Sequence, residues 1–392
     1  MMKKSIFAVA VASALTLGAA QAETVLYGSI RYDYENSKAK NTLGGAEDNS
    51  KRLSNLQDAG SRIGLKGSED LGNGNAVIYN LEWGFDGMTQ DEKNSFTTRK
   101  AILGLTGDWG TFTAGRQDNP FKVTIVDDSV QDDFNGKNVI SNASQRAMTT
   151  TLTGVETKVT VLDANGDVDP VKSAEASAEA TAQNFLGNNA SYSRVGKVIA
   201  YTTPEMAGFQ ANVAMMMDDS LYGKNDEKNI DLWTINAKYA YDLGANGTLL
   251  AKAGYIQGKL ADKGKSKAWG LFLGYSQDAF AVTASYADGN HKSKFVGSNV
   301  EGPKEKSKGW DLGASFSFGP NYFSTVRATY GQSQVKVEGD KSKVKSWAVG
   351  FEQKLSTRTR AWVEYGNEKT TVKQVEGSAK NNVISIGMRH DF

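Results

Sequence analysis

Apolar and polar residues alternate in short segments from residue 24 to the end of this chain. In the last segment, Ile384, Ile386 and Met388 share one face, and Ser385 and Gly387 share the other. Successive side chains of a strand point to opposite sides, so this alternation predicts a strand with one apolar and one polar face. Sixteen such strands are predicted, at residues 24–34, 60–68, 76–86, 97–107, 110–117, 194–202, 208–217, 230–242, 248–258, 267–277, 279–288, 309–318, 323–335, 345–354, 359–370 and 382–392.

The connections between these strands alternate between short and long. The short ones are rich in Gly, Asn and Pro, which favour turns, and the long ones, 36–59, 218–229, 289–308 and 371–381, are rich in Lys, Asp and Ser. Aromatic residues lie near predicted strand ends, as in the girdles of membrane proteins: Tyr27, Trp83, Trp109, Trp233, Tyr241, Trp310 and Trp347. The pattern predicts an all-β fold, a 16-stranded antiparallel transmembrane β-barrel. A soluble β-sandwich is disfavoured because it would leave too many apolar faces uncovered.

The N-terminus predicts export. Lys3 and Lys4 precede an apolar run at residues 6–17, and Ala20-Gln21-Ala22 fits a cleavage site. We therefore expect a cleaved signal peptide at 1–22 and a mature barrel at 23–392. The apolar run is too short for a spanning helix, so a retained anchor is disfavoured.

Composition narrows the functional classes. The mean hydropathy of −0.45 would suit a soluble exported protein, but a barrel needs only alternate apolar residues in each strand. The chain has no Cys, which excludes disulfides and thiolate chemistry. Loss of Lys3 and Lys4 from the 45 basic residues leaves 43 against 44 acidic residues, so no nucleic-acid partner is predicted.

Several short motifs resemble the general trimeric porins of Gram-negative bacteria, nearest to the neisserial type. They are Val25-Leu26-Tyr27-Gly28, residues 61–72, Ala114-Gly115-Arg116, residues 201–209 and the terminal Arg389-His390-Asp391-Phe392. The resemblance implies an outer-membrane homotrimer through which ions and small hydrophilic solutes diffuse. It also implies that the terminal Phe392 is read as an assembly signal by the barrel-assembly machinery.

The same resemblance implies that the third external loop, here 118–193, folds into the lumen and faces a basic wall. Its acidic candidates are Asp118, Asp127, Asp128, Asp132 and Asp133. The candidates for the pore's basic wall are Arg31, Arg62, Lys66, Lys100 and Arg116. Strand alternation directs all but Arg116 inward, and Arg116 requires a bulge or a strand end to point there. Other inward bases, Lys238, Lys252, Arg327 and Arg389, are expected to line the wider lumen.

The third loop is longer than the resemblance requires. Residues 148–161 are expected to form a hairpin arm, and residues 172–183 a short helix or disorder. Residues 163–169 place oxygen side chains as a calcium loop does, but they lack its Gly and Glu, so we interpret them as a solvated turn. No metal and no cofactor is predicted.

Two other functional classes compete with a channel. An enzyme is disfavoured because the two histidines, His291 and His390, have no Ser and acid partner nearby in the pattern. A surface adhesin with long Lys-rich loops as its binding surface stays open as the alternative to a channel.

Overall fold

The computed structural model describes residues 23–46, 48–89, 95–153, 172, 193–217, 232–260, 264–294, 301–337 and 339–392. Strands make up most of this part of the chain. They are β1 (Glu23–Asn41), β2 (Asp48–Asn49), β3 (Leu53–Asp58), β4 (Arg62–Gly72), β5 (Asn75–Phe85), β6 (Phe96–Gly107), β7 (Gly110–Asp118), β8 (Arg194–Thr202), β9 (Phe209–Met216), β10 (Leu232–Asp242), β11 (Thr248–Leu260), β12 (Gly264–Gln277), β13 (Phe280–Lys294), β14 (Glu301–Phe318), β15 (Ser324–Val337), β16 (Asp340–Lys354), β17 (Thr359–Val372) and β18 (Ala379–Asp391). Two helices follow β7: α1 (Pro120–Ile125) and α2 (Ala143–Thr153).

The strands form one closed antiparallel sheet. From β4 to β18 each strand pairs with the next in sequence, and β1 pairs with β18. The short strands β2 and β3 and the longer β4 all pair with β1, one after another along its length. They therefore share one position in the barrel, which gives sixteen positions and confirms the predicted fold class.

All sixteen predicted strands are confirmed, but parts of three predicted long connections are also strand. β1 continues to Asn41, β14 begins at Glu301 and β18 begins at Ala379, so much of 36–59, 289–308 and 371–381 is paired. Backbone hydrogen bonds hold these extensions together, and they do not require apolar side chains. The predictions relied on apolar alternation, which stops before the pairing does. The fourth predicted connection, 218–229, lies outside the described residues.

The two faces of the sheet differ as the alternation predicts. In β12, Leu271 and Leu273 are exposed, whereas Phe272 between them is fully buried. In β14 the predicted outward residues, Trp310, Leu312, Ala314, Phe316 and Phe318, are the more exposed set along the strand. Leu273 exposes 61% of its surface, which would be costly in water but suits contact with lipid. We call the side that carries these residues the apolar face and the other side the polar face. Within the described residues, neither α1 nor α2 has the combined length and hydropathy needed to cross a membrane.

Aromatic pairs form a belt on the apolar face. Ring centroids are 5.2–5.6 Å apart in four neighbouring pairs: Trp233–Tyr255, Trp269–Tyr286, Trp310–Tyr330 and Trp347–Tyr365. This is the arrangement expected at a membrane interface. Tyr27 was wrongly assigned to the girdle. Its hydroxyl donates to Asn80 (2.8 Å) and Glu82 (3.1 Å), so it belongs to the polar face.

The C-terminal residue closes the barrel seam. The Phe392 N–H donates to the Gly28 carbonyl (3.1 Å), and the Gly28 N–H donates to the Phe392 carbonyl (3.0 Å). A Cβ at Gly28 would lie 2.5 Å from the Phe392 ring, so the ring fills the space above this glycine. The absence of a side chain at residue 28 is therefore what lets the aromatic ring seal the seam.

Candidate functional site

The segment between β7 and β8 contacts the polar face of the barrel. We call its described part, residues 119–153, the β7–β8 segment. It opens at Asn119, whose side chain caps α1 by accepting a hydrogen bond from the Phe121 N–H (3.0 Å), with Pro120 at the first helical position. Phe121 and Ile125 of α1 are fully buried against β10, β11 and β12.

A hydrophobic cluster joins this segment to the wall. Its members come from α1, from α2 and from polar-face positions of β8–β13, and they include Phe121, Ile125, Met148, Leu152, Met216, Leu232 and Ile256. Large apolar side chains at polar-face positions are unusual for a wall that meets only water. Burying them against the two helices stabilises the docked segment, by about 1.5–3 kcal/mol for each large side chain.

The helix α2 replaces part of the predicted hairpin arm. Residues 148–153 are helical, so that prediction is wrong there, and residues 154–161 lie outside the described part of the chain. The buried side of α2 carries residues at helical spacing, namely Ala143, Ala147 and Thr151. The prediction of a hairpin was wrong because Thr residues are common in strands. The predicted turn at 163–169 and, apart from Lys172, the predicted helix or disorder at 172–183 also lie outside the described residues.

A buried carboxylate holds the first turn of α2. Asp311 of β14 accepts hydrogen bonds from the Ala143 N–H (2.8 Å), the Ser144 N–H (2.8 Å) and the Ser144 hydroxyl (2.6 Å). The first N–H groups of a helix have no partner within the helix and carry partial positive charge, so an anion is favoured there. Gly309 lets the helix approach β14, because a Cβ at this position would overlap the Ala143 carbonyl.

Three further carboxylates fix the stretch before α2. Glu364 accepts from the backbone N–H groups of Asn135 (3.0 Å) and Gly136 (2.8 Å). Asp33 accepts from the Lys137 N–H (3.0 Å), and Glu35 from the Asn138 N–H (2.8 Å). Strand alternation placed Glu364 and Asp311 on the polar face, but it could not identify the backbone groups that they bind.

The acidic candidates of the segment pair with nearby bases. Lys122 forms ion pairs with Asp127 and, at 3.8 Å, with Asp132. Lys252 of β11 forms an ion pair with Asp128 (3.1 Å) and also donates to the Asp127 carbonyl. Arg327 of β15 donates to the Asp133 carbonyl (2.7 Å). Lys252 and Arg327 were assigned to the wider lumen, which is wrong, because both contact the β7–β8 segment.

Burial changes the protonation of Asp127. It raises the pKa of this carboxyl to about 6, although Lys122 acts in the opposite direction, and Asp132 raises it further. The pKa of Lys122 is raised as well, because Asp132 and Asp127 together outweigh the effect of burial, which alone would lower it. Asp127 therefore carries a charge that changes close to neutral pH.

Arginines cluster on the polar face near the barrel seam. The electrostatic neighbours of Arg31 are three arginines, Arg62, Arg389 and Arg99, and one acid, Asp391. Within the described part of the chain Arg31 forms no ion pair. Its Nε donates to the Ser29 hydroxyl (2.9 Å) instead. Glu82 balances part of this charge, at 2.6 Å from Arg99 and 3.9 Å from Arg62.

A β-bulge explains why Arg99 was missed. Glu82 pairs with Lys100 and Trp83 pairs with Thr98, so Arg99 is an extra residue in β6. Both Arg99 and Lys100 consequently meet acidic groups, although simple alternation allows only one of them to point inward. Lys100 contacts Asp118 (2.6 Å), which also pairs with Arg194 (3.2 Å). This is the one contact between the two predicted residue sets found in the described chain.

The remaining wall candidates have other contacts. Lys66 lies over the Tyr27 ring, 5.3 Å from its centroid. The pairing of β7 with β8 is irregular between Gly115 and Gln117, and Arg116 donates to the Thr98 carbonyl (3.2 Å). The Arg116 side chain can point inward only if the strand pairing is irregular at this position, as it is here. That Asp127, Asp128, Asp132 and Asp133 act on solutes across from Arg31, Arg62, Lys66 and Arg116 stays a prediction.

Together the closed sheet, its exposed apolar face and its charged polar face define a membrane-spanning β-barrel of the channel-forming class. Comparison with known proteins gives the family. The model of the family described as Gram-negative porin matches residues 8–373. The major outer membrane protein P.IB of Neisseria meningitidis serogroup B is 26% identical over 408 residues, covering 100% of both chains.

Solved structures agree on the fold. The anion-selective porin from Comamonas acidovorans has a TM-score of 0.64 and 19% identity, covering 95% of this chain and 100% of that one. The trimer form of OmpT from Vibrio cholerae has a TM-score of 0.60 and 13% identity, covering 95% and 99%. The chain belongs to the Gram-negative porin family. It is an outer-membrane protein that forms a channel for the diffusion of small solutes.

Proposed function

We propose that the β7–β8 segment lies in the lumen, narrows the channel, and sets its preference among small hydrophilic solutes. The observation that carries this proposal is the set of four polar-face carboxylates, Asp33, Glu35, Asp311 and Glu364, that bind backbone N–H groups of residues 135–144. Sixteen strands leave an aqueous interior unless something occupies it. A segment held to the polar face at this many points occupies part of that interior.

The charges of the narrowed region are divided between two sides. Arg31, Arg62 and Arg99 cluster at one side, whereas the acidic residues 127–133 belong to the segment held against β11–β17. Opposed charges across a narrow aqueous passage create a transverse field, which favours polar over apolar solutes. Lys122 and Lys252 already balance the negative charges of Asp127 and Asp128. More of the positive charge of the arginine cluster is therefore left without an opposite charge than of the negative charge of residues 127–133. The channel therefore prefers anions, as the name of the Comamonas relative states for that protein.

Replacement of Arg62 and Lys66 by Gln tests the selectivity. The reversal potential of the reconstituted channel in a salt gradient should shift toward cations, and the shift should shrink at 1 M salt, where the Debye length is about 3 Å. Lys238→Gln is the matched control, because Lys238 pairs with Glu205 instead of joining the arginine cluster. An unchanged reversal potential at low salt would show that the wall residues do not select ions.

We further propose that the protein assembles as a homotrimer, as OmpT of Vibrio cholerae does in its trimer form. Mass measurement in mild detergent tests the proposal. A fully conducting monomer would contradict it.

A further inference from the structure

The peptide step between Asn135 and Gly136 is chemically reactive. An asparagine followed by a glycine can cyclise, because the glycine carries no side chain that hinders attack of its nitrogen on the asparagine amide. Such steps follow Asn73, Asn135, Asn165 and Asn246 in this chain. Asn73 and Asn246 lie in exposed short turns, and Asn165 lies outside the described residues. Asn135 differs from the turn residues because it belongs to the β7–β8 segment, which is held against the wall.

The reaction needs nothing beyond the chain and water. The Gly136 nitrogen loses its proton and forms a bond to the Asn135 Cγ. The bond from Cγ to Nδ2 breaks, and ammonia leaves with that proton. Water then opens the resulting succinimide ring at either carbonyl. The products are aspartate and isoaspartate, and in isoaspartate the main chain runs through the former side chain and is longer by one carbon atom.

Two buried wall carboxylates hold both reacting groups. Glu364 accepts from the Gly136 N–H (2.8 Å) and the Asn135 N–H (3.0 Å), and Glu352 accepts from the Asn135 Nδ2 (2.9 Å). Arg327 forms ion pairs with Glu352 (3.3 Å) and Glu364 (3.5 Å). Loss of the Gly136 proton would leave an amide anion facing the Glu364 carboxylate, and like charges repel strongly in a buried site. The docked arrangement therefore opposes the first step of the reaction.

The docked backbone also leaves little room for the products. A Cβ at Gly136 would lie 2.4 Å from the Ser385 Oγ, so the chain here is in contact with β18. A main chain lengthened at Asn135 cannot keep both of its N–H groups on the Glu364 carboxylate. An aspartate would instead place a third carboxylate beside the two that hold the segment. Either product consequently destabilises docking.

We propose that Asn135 is a deamidation site, protected while the β7–β8 segment is docked and reactive once the segment opens. Because both products weaken docking, each reaction converts a reversible opening into a permanent one. The step is a one-way release of the segment from β16–β18. Its effect on conductance rests on the proposed role of the segment in narrowing the channel, whereas the reaction itself does not.

Peptide mass spectrometry measures the reaction at each asparagine. The reconstituted protein and the full chain unfolded in urea are incubated side by side at the same pH and temperature. Asn135 should react more slowly in the folded protein by about tenfold or more, the effect of one hydrogen bond to a charged group. This comparison uses the wild-type chain alone, so it does not depend on the folding of a variant.

Glu364→Gln removes the protecting carboxylate with little change of shape. Gln offers one neutral oxygen to the two N–H groups, so Asn135 should react about tenfold or more faster in the folded variant than in the folded wild type. The internal controls are Asn73 and Asn246, which lie in turns away from the segment. Their rates should be the same in both proteins.

Asn135→Asp reproduces one of the two products. Val139 is 4% exposed, in a cluster with Ala348 of β16 and Val383 of β18, so a cysteine at residue 139 reacts with a maleimide only when this contact opens. Adding Asn135→Asp to Val139→Cys should raise the labelling rate by about tenfold or more. Adding Asn73→Asp instead is the matched control and should leave the rate unchanged.

The outcomes separate protection, release and channel function. Equal rates at Asn135 in the folded and unfolded chain would overturn the protection. A slower reaction in Glu364→Gln would show that the carboxylate promotes the attack, and it would overturn the proposal as well. Unchanged labelling of Val139→Cys after Asn135→Asp would overturn the one-way release. Faster labelling with unchanged conductance would count against the proposed function alone, because mass and labelling do not depend on ion flow.

Discussion

Replacement of Asp311 by Asn tests how strongly the wall holds the β7–β8 segment. The two side chains have nearly the same shape, but the amide carries no charge and one of its two polar atoms is a donor. The Asp311 carboxylate, which is 1% exposed, accepts three hydrogen bonds from Ala143 and Ser144. Asn can keep the bonds to one oxygen only.

The expected loss follows from these contacts. A hydrogen bond to a charged group contributes about 1.5–3 kcal/mol, and we take one such bond as the net loss because the segment can relax. Every 1.4 kcal/mol is a factor of ten, so opening of the segment should rise roughly 10- to 150-fold.

Cysteine labelling measures that opening, because the chain has no cysteine of its own. Ala147 is 1% exposed in the cluster between α2 and the wall, so a cysteine there reacts with a maleimide only when the segment opens. The rate for Ala147→Cys should rise by the stated factor when Asp311→Asn is added. Asp288→Asn is the matched control, since Asp288 is a β13 residue that accepts from the Tyr286 hydroxyl on the apolar face. Equal labelling rates in all three proteins would refute the anchoring role of Asp311.

Three further predictions concern the segment and the seam. Acidification from pH 7 to pH 5 should raise the ratio of anion to cation permeability, measured by reversal potential. The reason is that Asp127, with a pKa raised to about 6, loses its negative charge as the pH falls. An unchanged ratio across this range would count against Asp127 as a pore charge. Gly309→Ala should destabilise docking of α2 by about 1–3 kcal/mol, since the new Cβ would overlap the backbone carbonyl of Ala143. The same cysteine assay should detect the change, and Ser307→Ala on the same face should have little effect. Deletion of Phe392 removes two backbone hydrogen bonds at the seam and should lower the yield of heat-resistant barrel; a normal yield would exclude the proposed assembly role.

The alternation of apolar and polar residues was enough to predict the barrel. An apolar face such as that of Trp310, Leu312 and Phe316 predicted a surface in contact with lipid. Sixteen strands with such a face predicted a closed sheet. The reason is local: side-chain direction in a strand depends only on position in the sequence. The length of the strands beyond their apolar residues was not predictable, because pairs such as Lys40 and Lys380 depend on backbone groups.

The partners of the charged residues were decided by the tertiary structure alone. Alternation placed Arg62 and Lys100 on the polar face, but a single extra residue in β6 brought Arg99 to Glu82 as well. Lys252 and Asp128 are 124 residues apart in sequence, and no local pattern relates them. The sequence by itself determined which face the side chains of the regular strands occupy, but not those at a bulge such as Arg99. The closure of the barrel and the docking of α1 and α2 determined which charges meet, because those contacts depend on distances that only the folded chain fixes.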